Sequence, residues 1–231
     1  MPCQGGPYWG IKLKPDYSRS ERTPQGDDEA IAAFKRFNDA RLGGFGENVW
    51  NRVMHDSGWH YIPLAKIQNG GAPMAQSNGD SVVLPDMDVS HEGRTAYVEV
   101  KAKTTSVYFR KTSQERHGID YRNFTQYVRV SEMFNKKCAI ALVELWRESK
   151  PCTSVWSGSL LIETLKNLGP PTNELVNGRM MSLWRRKDFN DIASFTPSEL
   201  FALEAGKQRT NCKIELDSIL FPFTQRGMFD E

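Results

Sequence analysis

The sequence predicts a mixed α/β fold, a sheet flanked by helices, and three kinds of stretch predict it. "CAIALVELW", residues 138 to 146, is apolar almost without a break, the pattern of a strand buried on both faces. "VVLPDMDVSHEGRTAYVEVKAK", residues 82 to 103, alternates charged and apolar residues on either side of a turn-forming "HEGR", the pattern of a hairpin. Segments near 45–55 and 120–134 repeat apolar residues at helical spacing. Over residues 45 to 146 the order reads α-β-β-β-α-β.

A chain of 231 residues is long enough for one domain with its own core and an elaboration. Net charge is only +2, so global charge neither demands nor excludes a nucleic-acid partner, and local clustering must decide. Cys3, Cys138, Cys152 and Cys212 are scattered without a CxxC spacing. That pattern suggests neither a disulfide framework nor a zinc site, and it fits a reducing cytoplasm. No apolar run approaches membrane-spanning length, and the first residues lack a charged-then-apolar signal pattern.

In chain order, residues 1–28 are rich in Gly, Pro, Ser and charge and are expected to form a flexible arm. Ile31, Phe34, Phe37 and Ala40 predict a helix from Asp28 to Leu42, which "GGFG" is expected to interrupt. The next helix, Phe45 to His55, should turn Val49, Trp50, Val53 and Met54 inward. "WHYIPLAKI" reads as a strand, with Pro63 pointing to a sheet edge. "QNGGAPMAQSNGDS" reads as a polar loop and residues 104–120 as a long polar connection. "DYRNFTQYVRVSEMF" reads as a helix with Phe124, Tyr127, Val128, Val130 and Phe134 on one broad side. The core so defined spans 29–146, and 147–231 is an elaboration expected to pack on it. Within the elaboration, Thr196, Pro197 and Glu199 form a helix-start signal, and "CKIELDSILFPF" suggests a further strand.

The hairpin carries the chemistry. With Glu92 and Gly93 at the turn tip, paired positions sum to 185, which sets Asp86 opposite Glu99. Directly paired side chains approach within roughly 5 Å. Two carboxylates that close repel unless something positive lies between them, and a hard divalent cation such as Mg²⁺ selects oxygen ligands of this kind. Lys101 and Lys103 share the face of Glu99, while Val98, Val100 and Ala102 face the other way. An alternating charged strand is also a common solvated sheet face, so the pairing of the two acids is what favours the chemical reading.

Pro85–Asp86, twelve intervening residues, then Glu99–Val100–Lys101 resemble the PD-(D/E)xK nuclease superfamily, which includes restriction endonucleases, Holliday-junction resolvases and many phage and mobile-element nucleases. The resemblance covers less than half the chain. It implies a restriction-endonuclease-like αβββαβ core within 29–146 and Mg²⁺-dependent endonuclease chemistry on DNA, with Mn²⁺ as a substitute. It also implies metal binding by Asp86 and Glu99 with help from the carbonyl of Val100, and a catalytic Lys101. Resolvase-like members carry a glutamate on the first core helix, and Glu47 is the matching position, a further candidate metal ligand that reads equally as a favourable acid in a helix first turn. Asp88 shares the face of Asp86, so the ligand is either or both. Many relatives act as dimers. The roles of Gln126 and Tyr127 stay open.

Lys103, Arg110, Lys111 and Arg116 lie among Tyr108 and Phe109 just after the motif strand, a composition suited to a nucleic-acid backbone. A second basic cluster, "WRRKDF", reads more readily as a solvated turn than as a contact. Two rival functions remain: a catalytically inactive nuclease fold that binds DNA or a protein partner, and an RNA-directed enzyme.

Overall fold

A computed structural model describes residues 42–67, 72–77, 79–104, 107–109, 114–150, 153–196, 199–200 and 216–221. The chain divides into two compact units, Met1–Gly44 and Phe45–Glu231, and the candidate site residues Glu47, Asp86, Glu99 and Lys101 all belong to the second. The expected arm lies outside the described residues, as does all but Leu42 of the helix expected before "GGFG".

Residues 42–56 are helical (α1), so "GGFG" lies inside a helix where the sequence led us to expect a break. Gly46 has a packing reason to be there: a Cβ at this position would sit 2.8 Å from the Cβ of Ala102. Its absence lets α1 lie against the strand that carries the motif. Val49, Trp50, Val53 and Met54 are all fully buried, as their spacing predicted.

β1 is only His60–Pro63; the second half of the expected strand is instead a helical turn, α2, Leu64–Ile67. The polar loop contains a small hairpin, β2 (Met74–Ser77) and β3 (Asp80–Val83). β4 (Met87–His91) and β5 (Arg94–Lys103) then form the expected charged hairpin. The connection after it contains β6 (Val107–Phe109) and β7 (Gln114–Asp120), correcting the reading of a plain polar segment.

α3 (Tyr121–Phe134) starts where Asp120 caps it, accepting a hydrogen bond from Arg122 N, and ends at Asn135 in the left-handed conformation. β8 (Lys137–Lys150) follows and is buried from Cys138 through Leu145. β9 (Thr153–Thr164), a short helix α4 (Leu165–Leu168), β10 (Thr172–Val176), β11 (Arg179–Arg185) and β12 (Asn190–Phe195) complete the strands. The reciprocal Thr196–Glu199 hydrogen bonds expected at a helix start are present, and Leu200 N donates to Thr196 O. Pro197 and residues 201–205 lie outside the described residues. The strand expected in "CKIELDSILFPF" is, over its described part, a helix, Leu216–Leu220; its fully buried leucines stand four apart, which is helical spacing.

The main sheet has the order β1-β4-β5-β8-β9-β12. Only β5 and β8 run parallel, as a strand–helix–strand crossover through α3 requires. Stripped of the inserted hairpins, the order is α1-β1-β4-β5-α3-β8, the αβββαβ core of a restriction-endonuclease-like fold. β9 and β12 extend the same sheet, while β10-β11-β7-β6 form a second one. Tyr97, Tyr127, Val130, Ile140, Leu142 and Trp184 belong to the core between sheet and α3. Each large apolar side chain buried there contributes roughly 1.5–3 kcal/mol. An exposed pair such as Arg129–Asp80, between α3 and β3, contributes about 0–1 kcal/mol, so packing and not surface charge holds α3 in place. At the other end, Phe221 stacks on Trp59, which stacks on His91, and Lys137 Nζ donates to Leu220 O; this ties the last described helix to the hairpin.

Candidate active site

The register of the central hairpin follows directly from its turn. Glu92 and Gly93 both have positive φ (49° and 76°), the backbone of a two-residue turn matched to strand twist. His91 then pairs with Arg94, and Met87 with Val98, so the sum of 185 holds along the ladder. The ladder stops at Met87, one residue short of Asp86. Pro85 has no N–H to give a ladder, and the Asp86 carbonyl turns to accept from Leu64 N at 2.9 Å. The Asp86 side chain takes up the vacated edge: Oδ2 accepts from Val100 N at 2.9 Å.

Asp86 is thereby fixed beside the motif strand. Lys101 reaches across, its Nζ 3.6 Å from Asp86 Oδ2 and ion-paired with Glu99 Oε1. The other oxygen of Glu99, Oε2, accepts a hydrogen bond from the Tyr127 hydroxyl at 2.6 Å. Glu99 is only 1% exposed, so the charged strand face is not solvated at this position, where Tyr127 of α3 meets it. A third of the Lys101 side chain and a quarter of Asp86 remain open to solvent, giving access from one side.

Burial pushes the Glu99 carboxyl up to about 7, and the nearby Asp86 charge adds to the rise against the lowering effect of Lys101 and Tyr127. Burial by itself would depress the Lys101 ammonium, but Glu99 and Asp86 outweigh it and hold its pKa above the ordinary lysine value. Glu47, delivered by α1 next to Gly46, is raised by burial and then by Asp86, with Lys66 and Lys101 opposing. Three carboxylates thus share two ammonium groups, so with all three ionised the cluster carries one more negative than positive charge. Lys66, on α2, carried no sequence signal; only the folding of "LAKI" into a helical turn brings its charge to bear on Glu47.

The other sequence candidates fall in different places. Asp88 pairs with Lys136, whose Nζ also lies 4.1 Å from the Tyr97 ring centroid, and not with Lys101. Lys103 continues the face of Lys101, level with Glu144 on β8. Arg116 lies in β7, level with Arg185 on β11. Arg110 and Lys111 lie outside the described residues. Gln126 accepts from Val83 N at 3.3 Å and so ties α3 to the small hairpin. In the second basic cluster Arg185 pairs with Asp188, and Arg186 with Glu144 and Asp191.

A divalent cation can be tested against this donor set. Among the described residues no three acidic, His or Cys side chains converge into a ready-made cage. What is present is a pair of oxygen-donor carboxylates already bridged by one cation, the Lys101 ammonium. The Val100 strand edge also lies beyond the end of β4. Oxygen donors, excess negative charge and partial access suit a hard ion that keeps several of its own waters. No helix among the described residues is long and apolar enough to cross a membrane.

No family model and no curated protein matches the chain. Among solved structures it is similar to Hjc, a Holliday junction resolvase from Archaeoglobus fulgidus, at 14% identity over 64% of this chain and 91% of that one, with a TM-score of 0.38.

Proposed function

We propose that the protein is a Mg²⁺-dependent nuclease that hydrolyses phosphodiester bonds in DNA. The observation that carries this reading is the cluster just before β4 and on β5, in which Lys101 joins Asp86 to Glu99, with Glu99 buried and Asp86 and Lys101 partly open to solvent. A bound Mg²⁺ would lower the pKa of a water and stabilise charge on the phosphate. Asp86 and Glu99 would hold the ion, with the Val100 carbonyl as a further oxygen and Glu47 adding negative charge beside Asp86.

In the metal-free protein the acids beside Lys101 raise its pKa, which favours a role as a positive donor over one as a base. Lys101 orients the attacking water and balances the phosphate charge. Covering of Glu99 by α3 keeps bulk water off that side and strengthens these electrostatic terms. Lys103 and Arg116, with Arg110 and Lys111 between them in sequence, are proposed to bind phosphates.

Incubating the protein with Mg²⁺ and single-stranded, duplex and branched DNA, with RNA in parallel, tests the proposal. Cleavage of at least one DNA form that EDTA abolishes is the expected result. Binding without cleavage of any form would support the inactive-module reading, and cleavage of RNA alone would transfer the activity to RNA.

A further inference from the structure

We propose that Tyr127 is a positioning residue of this site: its hydroxyl occupies Oε2 of Glu99 and leaves Oε1 as the oxygen offered to Lys101 and to a divalent cation. The inference rests on the nuclease reading above and deepens it.

Three observations support it. The hydroxyl lies 2.6 Å from Oε2, while Lys101 takes Oε1, so the two partners divide the carboxylate between them. Tyr127 is 3% exposed, and the helix that carries it is fixed at both ends, by the Asp120 cap and by the Asn135 turn. Its donor therefore cannot drift toward water. Asp86 is handled the same way by a different device, since Val100 N holds its Oδ2. Each of the two acids thus has one oxygen committed to a neutral donor of the protein. A glutamate has three rotatable side-chain bonds, and an uncommitted one must lose that freedom when it binds an ion. Tyr127 removes the freedom in advance. Partners that orient a ligating carboxylate typically change metal affinity 10- to 100-fold when removed.

The same features explain why the sequence hid this role. On an amphipathic helix a tyrosine at an inward position reads as core, and Tyr127 is core by burial. Only the register of β5 under α3 brings Glu99 beneath its hydroxyl.

Tyr127→Phe keeps the ring and removes the donor. Calorimetric Mn²⁺ titration of wild type and variant, together with cleavage measured against Mn²⁺ concentration, gives the test. The expected result is a 10- to 100-fold weaker Mn²⁺ affinity and a matching rise in the concentration for half-maximal cleavage, with most of the rate recovered at saturating Mn²⁺. Gln126→Ala, on the same helix but bonded to Val83 N, should leave both midpoints unchanged. An unshifted midpoint in Tyr127→Phe overturns the proposal. A shift of the same size in Gln126→Ala overturns it as well, by assigning the effect to helix placement. An unfolded Tyr127→Phe would assign the hydroxyl to folding and overturn it too. If wild type itself neither binds Mn²⁺ nor cleaves DNA, the nuclease reading is what fails.

Discussion

Two buried glutamates on neighbouring parallel strands meet opposite fates. Glu99 on β5 is pushed up to about 7, mainly by burial. Glu144 on β8 is buried too, yet its carboxyl is held below the ordinary value, because donors from His117 and Arg186 outweigh the burial. Each Glu144 oxygen has its own partner at 2.8 Å, His117 Nε2 on one and Arg186 Nε on the other. Glu99 must share its lysine with Asp86, and its second partner is a neutral hydroxyl. Glu144 is a satisfied tie between the two sheets, whereas Glu99 belongs to a pair of acids that folding has left short of positive charge. Shortage of positive charge, and not burial or acidity alone, separates the proposed reactive site from the structural one.

The difference should be largest in activity. Asp86→Ala and Glu99→Ala should each lower DNA cleavage by roughly 10³-fold or more, the scale of losing a metal's charge stabilisation. Metal-free thermal stability should hold or rise slightly, since one of two repelling acids is gone. Lys101→Ala and Lys101→Arg should keep Mn²⁺ binding in calorimetry and lose roughly 10²-fold in rate. Near-normal activity in the arginine variant would reduce the lysine to a general charge.

Glu144→Ala should do the reverse. Removing it strands a buried His117 and leaves Arg186 with Asp191, so stability should fall by roughly 3 kcal/mol in denaturant melts, with Mn²⁺ affinity of the folded fraction unchanged. A stable variant would show that the tie between sheets contributes little.

The two glutamates should also oppose each other in pH. A carboxyl raised in the folded state favours the fold at low pH and loses that contribution as pH rises from its unfolded value of 4.5 toward about 7. Metal-free protein should therefore lose stability across that window, and Glu99→Gln should flatten the slope. Glu144, lowered in the folded state, contributes stability above its unfolded value of 4.5 and loses it as pH falls through the folded one. Glu144→Gln should remove that acid limb. Melts from pH 3 to 8 would show both, and identical profiles for the two variants would contradict the contrast.

The smallest expected effect concerns Lys103 and Arg116. Removing one phosphate-binding cation should lower the log–log salt slope of duplex binding by about 0.9. An unchanged slope in Lys103→Gln, Arg116→Gln or both would place these residues away from the DNA.

Much of this contrast was legible from the chain and part was not, for physical reasons. The two-residue turn at Glu92–Gly93 sets the register, so the ladder from His91–Arg94 to Met87–Val98 followed from counting, while the expected pairing of Asp86 with Glu99 is replaced by the Asp86 side chain on Val100 N. The apolar run of β8 and the periodicity of α3 were equally plain. β2, β3 and β6 are short and lie in polar sequence that carries no period, so they read as loop. β7 escaped because its buried residues are His117, Gly118 and Ile119, and His117 is tolerable inside only through Glu144, twenty-seven positions away. Glu144 itself looked like one polar residue in an apolar strand. The hairpin face read as open because period 2 separates two faces without saying that α3 will cover one. Asp88 matched Asp86 in face and charge, and only the fold shows Lys136 taking its charge.

The shortage of positive charge around Asp86 and Glu99 should make the pair a divalent-cation site. Crystals soaked in Mn²⁺ and measured for anomalous scattering test this most directly. The expected result is a peak between the carboxylates of Asp86 and Glu99, with Glu99 Oε2 still on the Tyr127 hydroxyl and no peak at Glu144. A map with no peak at Asp86 and Glu99 at millimolar Mn²⁺, or with its only peak elsewhere, would contradict it.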